Sequence, residues 1–467
     1  MKRVLPAILL AAPLSAQVTT APAPAPAPTL TLPAVDTARL GNGLTILVSR
    51  NAEVPIVNAS LIIDGGARTE TDLFGLATFT ADMLDEGAAG KDALQFAEAV
   101  EDLGASLFTG AGWESVNISL SAPKRVFHDA MALMADVVLR PNFAAADIAR
   151  RRDFRQAGLV TARDNPNAVA NRVFSRNVFP ATHPFHRNII GDSASTARLD
   201  SAAVRHFWQR AADPRRATLI ITGDVTPAEA RQWAMRHFGT WTPPAQRLGK
   251  LPASEIAAAP RPATRVILVD KPQAPQSVIM IGAPGLERDT PDYPALQVLN
   301  TLLGGSFSSR LNDILREQRG YSYGAGSGWS FSPVPGPFTA SSSVRTDVTD
   351  SSVAIFFREF ERIRNEPVDP AELERARNYI VLGALDSYET AGQVGGAISS
   401  ALQFGFPLQR TADELAAMAR VTAADVQRVA RRHLDPAHLT VVIVGDVNAI
   451  RPGVERLKLG PVEVQTY

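Results

Sequence analysis

One stretch of this sequence occurs twice. Residues 204–225, VRHFWQRAADPRRATLIITGDV, align without a gap on residues 426–447, VQRVARRHLDPAHLTVVIVGDV, with nine positions identical. Each copy is a helical stretch, an Asp-Pro stop and a β-branched run ending at Gly-Asp-Val, which predicts helix, turn and buried strand. A chain carrying that unit twice has to build the same supersecondary structure twice. Both halves also open on a strand-like run, Leu44 to Val48 and Arg265 to Val269, with a second strand soon after. The halves are therefore placed at 36–242 and 264–452. A Pro- and Ala-rich linker over 243–263 joins them across the surface, and 453–467 is left as a tail.

Within each half, strands such as Val57 to Ile63 and Ser115 to Ser121 alternate with helical stretches such as Ala93 to Leu103, Val126 to Leu139 and Ala144 to Ala162. Strands that follow closely can pair antiparallel, while long helical insertions cover a sheet face. The expected fold class is α+β: two homologous halves, each a mixed, largely antiparallel sheet layered with helices.

The start of the chain reads as an address. Lys2 and Arg3 precede an apolar run from Val4 to Leu14 and the small pair Ser15 and Ala16, the pattern of a secretory signal cleaved after Ala16. The run is about half of the roughly 20 apolar residues needed to span a bilayer. No membrane insertion is expected after its removal, and the location expected is exported, periplasmic if the source is Gram-negative. Residues 17–35, with their Ala-Pro alternation, form an extended spacer.

Composition narrows the chemistry. Forty-seven Lys plus Arg balance 47 Asp plus Glu, so no net field attracts a nucleic acid or an anionic membrane. The absence of cysteine excludes disulfides, thiolate nucleophiles and every zinc site that needs sulfur. Metal chemistry would have to use His, Asp and Glu. His183 and His186 sit in FPATHPFHRN, where Pro184 disrupts helical geometry, so they read as a polar loop. Asp82, Asp85 and Glu86 read as a solvated helix face. Gly304-Gly305-Ser306 lies between two helices and lacks the Lys-Ser/Thr ending of a phosphate-binding loop.

The segment DGGARTETDLFGLATFTADMLDEG, Asp64 to Gly87, is a strand ending in Gly-Gly, a short polar loop and a helix opening at Gly75-Leu76-Ala77. It resembles the N-terminal half of the pitrilysin or insulinase family of zinc peptidases. In active members that helix carries H-x-x-E-H, two histidines that bind zinc and a glutamate that activates water. The corresponding positions here are Thr78, Ala81 and Asp82. The resemblance puts a third ligand, a glutamate, in the helix matching Asp147 to Ala162, where this chain offers Ala157 and Gly158 and has no acidic residue between Asp153 and Asp164. A catalytic zinc needs three ligands and an open position. No zinc and no autonomous hydrolysis are expected in this chain.

The second half contains LLGGSFSSRLNDILREQRGYSYGAGSGWSF, Leu302 to Phe331. Ser306 to Ser309 can cap a helix that runs through Arg316 to Gln318; Gly320 ends it and YSYGAGSGW alternates as a strand. LREQRGYSY resembles the motif by which the family's C-terminal half sends an Arg and a Tyr to the zinc site of an opposing half or subunit. On that resemblance Arg316 and Tyr323 are the catalytic and substrate-binding residues. Arginine can hold peptide carbonyls with a planar fork of donors, and a tyrosine hydroxyl can donate to the oxyanion of a tetrahedral intermediate. The plainer alternative has Arg316 complementing a helix C-terminus and Tyr323 packing on the sheet. Tyr321 lies on the same strand face and is the competing tyrosine. The strand Thr339 to Arg345 has small side chains on both faces and reads as a plain edge strand that could also border a peptide channel.

The resemblance thus implies the zinc-less subunit of a heterodimeric peptidase. Its partner would be a homologous chain bearing H-x-x-E-H and the zinc, its substrates peptides, and this chain would hold no cofactor of its own. The alternative is a structural or peptide-binding pseudoenzyme of the same fold, in which Arg316 and Tyr323 are remnants.

Overall fold

The computed structural model describes residues 30–250 and 252–466. The expected export signal, Met1 to Ala16, lies outside them. Among the described residues the chain forms two six-stranded sheets. The first has β1 (Asp36–Arg39), β2 (Thr45–Arg50), β3 (Ile56–Asp64), β4 (Ser106–Ala111), β5 (Ser115–Pro123) and β6 (Ala217–Gly223), in the order β1-β2-β6-β3-β5-β4. The second has β7 (Arg265–Asp270), β8 (Gln276–Pro284), β9 (Ser322–Trp329), β10 (Pro337–Arg345), β11 (Thr440–Gly445) and β12 (Val462–Gln465), in the order β12-β7-β11-β8-β10-β9. In each sheet the repeated segment supplies an inner strand, β6 or β11, parallel to one neighbour and antiparallel to the other. The fold is the α+β arrangement of two like halves that the sequence implies.

The Asp-Pro stop works the same way in both copies. Asp213 Oδ1 accepts from the Arg215 amide at 3.0 Å, and Asp435 Oδ1 accepts from the Ala437 amide at 3.2 Å. A carboxylate on the turn thus satisfies an amide between helix and strand.

The inner strands are buried on both faces. On one face Leu219 and Ile221 join the core of the first half, while Ile220 points the other way. That other face is covered by a helix from the opposite half. Pro166–Val178, from the first half, lays Val169, Val173, Phe174 and Val178 on Val269, Met280, Val442 and Val444 of the second sheet. Ala391–Gln403, from the second half, returns Val394 and Ile398 onto Ile220, and Thr222 Oγ1 donates to the Ala391 carbonyl at 2.7 Å. Continuous β-branched runs need cover on both faces, and here each half borrows it from the other.

Three expectations, two about joining segments and one about strand order, are corrected. Residues 453–467, set aside as a tail, contribute β12, which extends the second sheet by pairing parallel to β7. The 243–263 linker is not confined to the surface. Leu248 is buried against the first core, and Lys250 Nζ bridges Asp64 Oδ1 at 2.5 Å and Glu114 Oε2 at 3.0 Å. The strand at Thr339 to Arg345 is interior, lying between β8 and β9, so that β9 is the sheet edge.

Candidate functional site

The helix Leu76–Asp82 begins at Gly75, whose left-handed backbone (φ 86°) and contact with Ile190, where a Cβ would lie 2.2 Å from the carbonyl oxygen, leave room only for glycine. Glu70 reaches back to accept from the Gly75 and Ala77 amides at 2.9 and 2.7 Å, satisfying donors at the start of the helix. At the positions where the related peptidases carry their ligands, Thr78 Oγ1 donates to the Gly75 carbonyl at 3.0 Å and Asp82 faces Arg155.

Arg155, from the helix Ala145–Thr161, fills this place. Its Nη2 donates to Asp82 Oδ2 at 2.7 Å. Its Nη1 reaches the Gly75 carbonyl at 2.9 Å, Thr78 Oγ1 at 3.2 Å and the Ile190 carbonyl at 3.4 Å. The guanidinium also stands 4.9 Å from the centre of the Phe79 ring. These residues do not fit zinc: of the two ligand positions on this helix, the Thr78 hydroxyl is engaged and the Asp82 carboxylate is paired with a fixed positive charge that would repel the ion, while Ala81, at the position of the water-activating glutamate, has no proton acceptor. Among the described residues no group of three or more His, Asp or Glu could hold a metal.

The acidic cluster is therefore not a solvated face. Asp82 pairs with Arg155, and Glu86 pairs with Arg150 at 2.6 Å and Arg151 at 2.7 Å. Burial raises the pKa of Asp85. Family spacing points to an acid in this helix and so gives no sign of Arg155. The available signal was the arginines at 150, 151, 152 and 155, complementary to Asp82, Asp85 and Glu86. His183 also departs from the polar-loop expectation. It is buried and stacked on Phe179 with ring centres 4.4 Å apart, its Nδ1 accepts from the Phe185 amide at 3.2 Å, and burial draws its pKa down to about 4.

Glu70 gives this region a pH dependence. Desolvation by burial raises its pKa to about 7, against the opposing pull of the Ala77 and Gly75 amides and of Arg187 and Arg155. A carboxyl whose pKa is higher folded than unfolded contributes stability below its unfolded value and loses it as pH rises through the folded one. Stability is expected to fall between about pH 4.5 and 7 by on the order of 3 kcal/mol from this group. Denaturant midpoints across that range check it. Glu70→Gln should flatten the decline, and an unchanged slope would remove Glu70 as its cause.

In the second half a short α-turn, Arg310–Asn312, passes into a π-helical turn, Asp313–Gln318, where the sequence implied a regular helix. Ser309 occupies the cap position, but its side chain makes no capping bond. The wider turn carries Arg316, whose guanidinium lies 4.5 Å from the centre of the Phe307 ring and whose Nε is 3.2 Å from Glu317 Oε1. Such turns often mark functional positions.

Tyr323 is aimed by a second irregularity. Ser342 pairs with Ala325 and Val344 with Ser322, so β9 carries one more residue than β10 between those pairs. A bulge at a sheet edge redirects side chains, and Tyr323 is 91% exposed. Arg316 and Tyr323 both line a cavity of about 580 Å³, whose wall includes the glycines 304 and 305 and Asn167 from the exchanged helix. Tyr321 lies just outside β9, packs against the hydrophobic core and has the Arg345 guanidinium 5.9 Å from its ring. The bulge and the strand boundary thus separate the two tyrosines, and of the pair Tyr323 alone lines the cavity, which Tyr379 of the second half also borders. The arrangement leaves a phenol hydroxyl and a guanidinium facing open space, able to donate to a carbonyl or oxyanion brought in from outside.

Comparison with known proteins agrees with this architecture. Residues 45–189 match the model of the insulinase family, peptidase family M16, and residues 198–380 match that of the peptidase M16 inactive domain. An uncharacterized zinc protease of Rickettsia bellii is 28% identical over 351 residues, 74% of this chain and 82% of that one. One of Mycobacterium leprae is 26% identical over 291 residues, 61% of this chain, and the match spans only 63% of that relative's length. The crystal structure of a peptidase M16 inactive domain from Pseudomonas fluorescens superimposes with a TM-score of 0.80 at 25% identity, covering 88% of this chain and 98% of that one. With both halves matched and the fold shared, this chain belongs to the pitrilysin-like insulinase family of peptidases, M16.

Proposed function

We propose that this chain is the zinc-less member of a two-chain peptidase, working beside a homologous subunit that carries H-x-x-E-H. The observation that carries the reading is an asymmetry between the halves. The metal position of the first half holds the Arg155 guanidinium, whereas the second half keeps Arg316 and a fully presented Tyr323 beside an open cavity. In this assembly the partner supplies zinc, water and the general base. Arg316 holds a carbonyl of the peptide through its donor fork. Tyr323 donates to the oxygen that becomes negatively charged as water adds to the scissile amide. Substrates are peptides or unfolded segments small enough to enter between the subunits. The leader at Met1 to Ala16 supports assembly outside the cytoplasm, in the periplasm of a Gram-negative source.

Coexpression with the H-x-x-E-H-bearing relative from the same cells tests the reading. The two chains should copurify, and a quenched peptide should be cleaved by the mixture and not by this chain alone. A relative that cleaves equally well without this chain would leave the pseudoenzyme reading, in which Arg316 and Tyr323 have no catalytic part.

A further inference from the structure

A second cavity, of about 770 Å³, lies between the halves and shares no lining residue with the one beside Arg316 and Tyr323. Phe74 and Trp113 wall it from the first half and Phe331 from the second. The exchanged helix presents Arg172 and Arg176 to it, one turn apart, and the loop that follows adds Arg187. The aromatic walls are held in place: Phe185 meets Trp113 edge-on with ring centres 5.2 Å apart, and the Arg187 guanidinium lies 3.6 Å from the centre of the Phe74 ring.

The charge lining this space is one-sided. Three arginines face it against a single carboxylate, Asp192. Asp192 Oδ1 accepts from the Ser195 amide and the Ser195 hydroxyl, each at 2.8 Å, and its charge also acts on Arg172. Arg187 is balanced in part by Glu70. Arg176 is exposed and forms no ion pair among the described residues. Guanidinium forks next to aromatic faces match a carboxylate next to a ring: the fork takes two oxygens at once, and the walls take the apolar surface. The volume falls in the upper part of the roughly 300–1,000 Å³ range of ligand pockets, enough for more than one residue.

We propose that this cavity binds peptides through a carboxylate flanked by an aromatic side chain. The proposal rests on the reading of the chain as a peptide-handling subunit, but it concerns binding by this chain alone. A free C-terminus after Phe and an internal Glu-Phe pair offer the same chemistry.

The test uses the full chain without a partner and three dye-labelled hexapeptides followed by fluorescence anisotropy. One ends in Phe with a free carboxylate, one is its C-terminal amide, and one is an amide with an internal Glu-Phe. At least one carboxylate-bearing peptide should bind about tenfold or more tightly than the plain amide. Arg176→Ala should erase that difference, and Phe331→Ala should weaken every peptide. Preference for the free acid alone assigns the site to peptide C-termini, and equal preference for Glu-Phe assigns it to any carboxylate. Equal binding of all three peptides, or a preference untouched in Arg176→Ala, overturns the proposal. Arg176 is exposed, so its removal does not threaten the fold. Because no cleavage is measured, loss of this binding and loss of activity with a partner are separate results.

Discussion

Tyr323→Phe is expected to lower kcat of the two-chain peptidase by about 10²- to 10³-fold while leaving KM nearly unchanged. The change removes one oxygen atom. Its hydroxyl matters most when negative charge has developed on the carbonyl oxygen, so the loss falls on the transition state and not on the bound substrate. The fold gives the side chain no other employment: it stands on an edge strand, redirected by a bulge, with 91% of its surface exposed. Melting of the isolated chain should therefore stay within about 0.5 kcal/mol of the parent. Arg316 acts at a different stage. Its fork holds the ground-state carbonyl as well, so Arg316→Ala should raise KM along with lowering kcat. Steady-state kinetics at saturating partner separate the two patterns. An unaltered kcat in Tyr323→Phe would assign the tyrosine to packing or to the subunit interface.

The repeat made the two-half architecture legible, because the same apolar periodicity and the same Asp-Pro stop recur in both copies. The loss of the water-activating base was legible too, since Ala81, at the glutamate position of H-x-x-E-H, offers no proton acceptor whatever the surroundings. What fills the vacated place was not. Arg155 lies far along the chain from Asp82, and only the packing of the Ala145–Thr161 helix against Leu76–Asp82 brings guanidinium to carboxylate. Tertiary contact likewise turned a solvated acidic face into ion pairs and a tail into β12. The choice between Tyr321 and Tyr323 was hidden for a narrower reason. Alternation puts both on one face, and the bulge that separates them is a property of the β9–β10 register, which no single strand encodes. The exchange of helices between halves was also out of reach, because the apolar stripe of Pro166–Val178 does not say which sheet it will cover.

That exchange makes the second strong prediction. Phe174 belongs in sequence to the first half, yet its ring packs against the second sheet, where a Cβ on Gly282 would stand 2.8 Å from its Cζ. Glycine at 282 leaves the space that the ring fills, and the ring is only 2% exposed. Phe174→Ala should empty that space with no neighbouring side chain at 282 able to move in, at a cost of about 3–5 kcal/mol. Phe154→Ala, an equal truncation at a ring 72% exposed on the preceding helix, should change stability by about 0.5 kcal/mol or less. The more telling result is where the loss appears. Four of the five tryptophans, Trp113, Trp208, Trp233 and Trp241, report on the first half, and Trp329 on the second. If each half needs the helix of the other, a cavity beneath the second sheet lowers the urea midpoint seen by tryptophan fluorescence as much as the one seen by far-ultraviolet circular dichroism. Were the halves independent, fluorescence would keep most of its original midpoint while circular dichroism split into two transitions. Coincident shifts would mean that the duplicated units fold as one interlocked body, which would hold the Arg172 and Arg176 side chains of the exchanged helix in fixed relation to Phe331 across the cavity between them.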